Sequence, residues 1–214
     1  MTNIDTFFSA CKWGVLSTIK ILLKDGIDVN SLNKDDQSPL MICITQNHLS
    51  CIKYLLKSGA NINFSNNLGC TPLFLACQSG NIKIINYLIK EGAKVNFKNN
   101  HGTTPLHVAS QFGLVNIVDL LLNSGANINA KDKDGFTALM IATFLDRLEV
   151  AQLLIQSRSN INLKNKNGDT AISLAKQYSR STILESLLIH QQYQNLQSFI
   201  KSKPQLTLHS KIKV

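Results

Sequence analysis

Gly102-Thr103-Thr104-Pro105-Leu106-His107-Val108-Ala109, then Gly113, then Ile117-Val118-Asp119-Leu120-Leu121-Leu122, closing on Gly125-Ala126-Asn127-Ile128-Asn129, is the stretch that decides the fold. Thr104 has the short hydroxyl that caps a helix N-terminus. Pro105 suits the first helical position, where a missing N–H costs nothing. Gly113 and Gly125 suit the left-handed backbone that ends a helix. Between them Ile117, Val118, Leu121 and Leu122 form one apolar stripe. The spacing therefore predicts two short helices and a turn that returns the chain. Such a unit is too small to bury its own apolar face, so it needs neighbours.

The neighbours are present. Steps of 33 residues from Pro105 land on Pro72, Pro39, Ala138 and Ala171, preceded by Thr71, Ser38, Thr137 and Thr170. The closing glycine recurs as Gly26, Gly59 and Gly92. The apolar pair late in the second helix recurs as Leu22-Leu23, Leu55-Leu56, Leu88-Ile89, Leu121-Leu122, Leu154-Ile155 and Leu187-Leu188, with no insertion or deletion. A period of this length marks a stacked helical solenoid.

From residue 4 to about 189 the pattern closely resembles the ankyrin repeats: a turn ending in Gly, then Thr-Pro-Leu-His, an Ala pair, Gly, an Ile/Val-Leu-Leu helix, and Gly-Ala-x-Val/Ile-Asn. The resemblance implies an all-α solenoid of about six helix-turn-helix units with projecting β-turn fingers, used to bind other proteins. It implies neither catalysis nor a cofactor, and it names no partner.

The units run 4–30, 31–63, 64–96, 97–129, 130–162 and 163–189, so residues 1–189 are one array. Residues 190–214 are a helical extension followed by a basic, flexible tail. Asp5 stands at the first helix's cap position. Asp36 and Asn47 replace turn glycines, and both tolerate positive φ. Asn66-x-x-Gly69 and Asn99-x-x-Gly102 open fingers in which the Asn side chain can close an Asx turn. The fifth unit loses its proline to Ala138 and its closing glycine to Arg158. Beyond Leu188, apolar residues continue at Tyr193, Leu196, Phe199 and Ile200, so the last helix is predicted to extend to about Ser202, or a further helix to pack there, before Pro204.

With 44% hydrophobic and 16% charged residues in 214, the chain can bury a substantial core. Its opening residues lack a signal-peptide pattern, and no apolar run approaches the roughly 20 residues of a membrane span. Five cysteines without paired spacing fit a reducing compartment, the cytoplasm or the nucleus. Cys11, Cys43, Cys51 and Cys77 should be buried, and Cys70, beside a finger, exposed. No metal-ligand spacing accompanies them. The net charge is +9, almost all of it lysine.

His107 invites a catalytic reading, but it fills the His of the ankyrin motif, which in that family hydrogen-bonds the turn. The equivalent positions here are Phe8, Met41, Phe74, Met140 and Ser173, so the site has no fixed chemistry. No phosphate-cradling loop, metal motif or nucleophile signature is present, and the chain reads as no enzyme.

In an ankyrin-like array the partner side is made of the fingers and the exposed edges of the first helices. There Phe112, Phe136, Phe144, Leu145 and Tyr178 stand where polar residues would suffice, and Lys98, Lys131, Lys133, Lys164 and Lys166 line the fingers beside them. Aromatic anchors inside a charged rim suit a protein partner. The leading expectation is a monomeric scaffold or adaptor holding a protein segment, acidic with apolar anchors, along repeats 3 to 6. The alternatives are a nucleic-acid-associated protein using the lysine rim and tail, and the substrate-targeting subunit of a larger enzyme.

Overall fold

The computed structural model describes residues 2–202, which form twelve helices with no strand among them. They come in pairs: α1 (Asn3–Trp13) with α2 (Leu16–Lys24), α3 (Pro39–Thr45) with α4 (Leu49–Lys57), α5 (Pro72–Ser79) with α6 (Ile82–Lys90), α7 (Pro105–Gln111) with α8 (Val115–Asn123), α9 (Ala138–Phe144) with α10 (Leu148–Gln156), and α11 (Ala171–Gln177) with α12 (Ser181–Ser202). The basic tail expected at the C-terminus begins beyond the described residues.

Each first helix starts where the sequence places a hydroxyl. Ser38, Thr71, Thr104, Thr137 and Thr170 are extended, and each side chain accepts the backbone N–H three residues on. Pro39, Pro72 and Pro105 follow at the first helical position. The first unit departs from the register. Its cap is Thr2, and Asp5 sits three residues on, closing a capping box in which Thr2 N donates to Asp5 Oδ2 at 3.0 Å. Helix α1 thus begins three residues before its register position and runs 11 residues.

All six inter-helix turns carry a positive-φ residue: Gly14, Asn47, Gly80, Gly113, Asp146 and Ser179. Arg158 takes φ 65° where the other repeats close on glycine. In repeats 3 and 4 every positive-φ residue is glycine. Non-glycine strain of this kind falls instead in repeats 2, 5 and 6, at Asp36, Asn47, Asp146, Arg158 and Ser179.

Consecutive first helices pack side by side from α1 to α11, more closely than the second helices do. The stack therefore curves, with the first helices on its inner side. Small residues permit the close approach: Ala76, Ala109, Ala142 and Ala175 share one repeat position and are fully buried. Leu22, Leu55, Leu88, Leu121, Leu154 and Leu187 share another. All six are buried in one continuous core that runs the length of the array.

Hydrogen bonds order the fingers at three levels, the first and third of which join one repeat to the next. At the base of the fingers Asn30, Asn63 and Asn96 each donate to the carbonyl of the next closing glycine and accept a backbone N–H two residues beyond it. Within the fingers Asn33, Asn66, Asn99, Asp132 and Asn165 each accept two backbone N–H groups, closing the Asx turn in every repeat from the second. At the finger tips Asn100 N, Lys133 N and Lys166 N donate to Leu68 O, His101 O and Asp134 O of the preceding repeat.

Cys70 is buried, against the expectation from sequence. The following finger lies over it, and the Asn99 side chain comes within hydrogen-bonding reach of its thiol.

Candidate functional site

The inner face is built from the C-terminal ends of the first helices and the flanks of the fingers. Each first helix leaves its last carbonyls without intrahelical donors. Side chains from the next repeat take several of them. His48 Nε2 meets Lys12 O at 3.0 Å, Arg147 Nε donates to Gln111 O at 3.0 Å, and Arg180 Nη2 donates to Phe144 O at 3.1 Å. Arg180 also pairs with Asp146 at 3.5 Å. These ties fix the helix ends from which Trp13, Phe112 and Phe144 project.

Phe144 and Tyr178 meet across adjacent repeats, edge to face, with ring centroids 4.8 Å apart. They are 38% and 39% exposed, so their contact leaves a large apolar surface in water. Phe112, at the end of α7, is 49% exposed. Leu145 is half-buried at the end of α9. Phe136 is half-buried and packs against the core, its backbone carbonyl accepting from His107. The exposed aromatic surface of repeats 4 to 6 is therefore Phe112, Phe144 and Tyr178.

The lysines divide into two kinds. Lys98 Nζ donates to Lys131 O at 3.0 Å, and Lys131 Nζ donates to Lys164 O at 2.8 Å, so these two charges also bind finger to finger. Lys133, Lys164 and Lys166 are exposed along the same ridge. Asp132 is engaged in its own Asx turn, while Asp134 is exposed and Asp169 meets Asn165.

A second concavity, of about 570 Å³, lies between α1, α3 and the second finger, lined by Phe8, Lys12, Trp13, Asp35 and Ile42 among others. Trp13 is 70% exposed, with the Lys12 ammonium 5.7 Å from its ring centroid. This groove is not part of the surface expected from sequence. The signal for it is the sole tryptophan of the chain, at a position where the next two repeats have Gln46 and Ser79.

His107 is buried with both ring nitrogens engaged. Thr104 N donates to Nδ1 at 3.1 Å, so Nε2 carries the proton shared between Ala130 O and Phe136 O, each at 3.1 Å. No edge of the ring is left for a substrate. Burial holds its pKa below the usual histidine value. The unfolded chain therefore takes up this proton first on acidification. The stability that neutral His107 contributes is present above about pH 6.5 and is lost as pH falls below it. Thermal melts of His107→Gln from about pH 7.5 to about pH 5 will show a flatter dependence than wild type.

Two of the buried thiols are held unreactive in the same way. Burial pushes Cys77 up to about 12, and contact with Cys11 together with burial raises Cys43 further. Both stay protonated.

The family model described as Ankyrin repeats (3 copies) matches residues 4–66, 59–132 and 125–198. The chain belongs to the ankyrin-repeat family. No curated protein matches it as a relative. Ankyrin repeats are protein–protein interaction modules, and their typical role is non-catalytic. Among the described residues no helix of this ankyrin array is long and apolar enough to cross a membrane.

Proposed function

We propose that this array is a non-enzymatic scaffold that holds a segment of another protein across the first-helix ends and fingers of repeats 3 to 6. Phe112 and the Phe144–Tyr178 pair supply the apolar anchors, and Leu145 widens that surface. Lys133, Lys164 and Lys166, with Lys98 and Lys131 behind them, favour a segment that carries acidic side chains beside apolar ones. The observation that carries this reading is the exposed Phe144–Tyr178 contact: two aromatic rings from successive repeats meeting edge to face at the surface, with the end of α9 pinned by Arg180. Rigid repeats present such a surface at little ordering cost. Protonated, buried cysteines suit a reducing compartment, the cytoplasm or the nucleus.

The test is affinity capture with wild type and the Phe112→Ala/Phe144→Ala double variant, at low and at high salt. The variant is expected to lose about 2 kcal/mol or more, roughly 30-fold in affinity, with its circular dichroism unchanged. Aromatic-anchored binding persists as salt rises. A partner that dissociates steeply with salt and ignores the double substitution would instead be held by the lysines, as a nucleic acid would be.

A further inference from the structure

The sixth repeat breaks the pattern at its outer end, and the other five show that the fold does not require the break. Lys24, Lys57, Lys90, Asn123 and Gln156 occupy one exposed position at the end of the second helix, and the sixth repeat has Ile189 there, 60% exposed. Two residues on, Gly26, Gly59, Gly92, Gly125 and Arg158 turn the chain with positive φ, whereas Gln191 stays helical. Helix α12 therefore runs on to Ser202, and from Gln192 onward every described residue is exposed. Along this extension Ile189, Tyr193, Leu196 and Ile200 are 49–60% exposed and fall on one stripe.

Three features say what covers that stripe. Its spacings are four, three and four, which read the same from either end. An antiparallel pair of these helices about a two-fold axis thus sets Ile189 against Ile200 of the second copy, and Tyr193 against Leu196. Next, a groove of about 430 Å³ lies beside it between α10 and α12, walled by Ile155, Ile189 and Tyr193 and rimmed by Gln152, Gln156 and His190. The paired register delivers Leu196 and Ile200 of the second copy to that wall. Each copy thus has both the projecting apolar end and the groove that receives it. Finally, from Ser186 to Ile200 there is no Asp, Glu, Lys or Arg, in a chain of net charge +9. The stripe itself therefore brings no charge to the contact, and the nearest cations, Arg158 and Lys201, stand at its edge beside Tyr193 and Ile200.

We propose that the α12 extension is an isologous self-association site, through which two copies of this chain form an antiparallel helix pair, replacing the monomer expected from sequence. The contact is small, so the dissociation constant should be on the order of 10 µM.

Sedimentation equilibrium of the full chain over about 1 to about 200 µM tests it. Wild type should rise from 23.7 kDa toward twice that mass. Leu196→Lys and Tyr193→Glu, each checked for unchanged helical content, should each stay near the monomer mass. An equimolar mixture of the two should associate again, because the antiparallel register sets the new carboxylate against the new ammonium. A wild type that stays monomeric throughout overturns the proposal. So does a dimer that survives Leu196→Lys, or a mixture that fails to recover association.

Discussion

Replacing Leu88 with alanine will cost the array about 2–5 kcal/mol, an amount comparable with the whole stability of many domains. Leu88 is fully buried in α6, at the position that is leucine in all six repeats. Its removal leaves a cavity between neighbours on both sides. Helix-helix contact with the adjacent repeats is what stabilises each unit of a solenoid, so a cavity in the middle weakens two interfaces. Thermal unfolding followed by circular dichroism should shift down by roughly 4–20 °C. Leu22→Ala provides the comparison. Leu22 is 8% exposed and has a neighbour on one side only, so its loss should cost distinctly less. Equal shifts for the two variants would mean that the repeats do not share one continuous core.

Gly102→Ala is the second large effect, and its mechanism differs. Gly102 adopts φ 74° in the fourth finger, and a Cβ there would lie 2.8 Å from Lys133 N and 3.1 Å from Asp132 C. Those atoms are backbone of the next finger and cannot rotate away. The substitution therefore adds the left-handed strain of about 1–2 kcal/mol to the loss of the Lys133 N to His101 O bond, about 1 kcal/mol more. Gly125→Ala is the control: φ is 84°, yet nothing lies within 4 Å of the new Cβ, so only the strain remains. The natural sequence contains the same experiment. Asp36 stands at the finger position of repeat 2, and among the described residues no backbone bond of this kind joins its finger to the next. Denaturant midpoints for Gly102→Ala and Gly125→Ala should thus separate, with Gly102→Ala the lower. Coincident midpoints would show that finger stacking contributes nothing.

What could be read from sequence was what one repeat dictates to itself. The hydroxyl caps at Ser38, Thr71, Thr104, Thr137 and Thr170 are local chemistry, and so are the leucines that mark the buried face. The positive φ of Arg158 followed from the register alone. What escaped depends on where the next repeat sits. Cys70 looked like a surface thiol because only the following finger covers it. Lys98 and Lys131 looked like a solvated rim, although their ammonium groups reach carbonyls 33 residues away. Arg147 and Arg180 carried no periodic signal, since His48, Asn81 and Leu114 precede them at the same position. Only in three dimensions do they meet the free ends of α7 and α9.

The candidate site shows the same division. Phe112, Phe144 and Tyr178 were legible because the repeat register assigns their positions to the inner face. Phe136 shares that register but its ring packs half-buried against the core, as only the neighbouring elements could determine. The Trp13 groove needed the second finger to close it.

Hydroxyl-radical footprinting of the array, free and with its captured protein partner, reports which face the partner covers, because side-chain oxidation follows solvent exposure. In the free protein Phe112, Phe144 and Tyr178 should all be labelled. In the complex they should be protected together, while Ile21 and Ile82 on the second helices remain labelled as before. Protection confined to the second helices, with Phe112, Phe144 and Tyr178 labelled as in the free chain, would place the partner on the outer face and leave the aromatic surface without a role in binding.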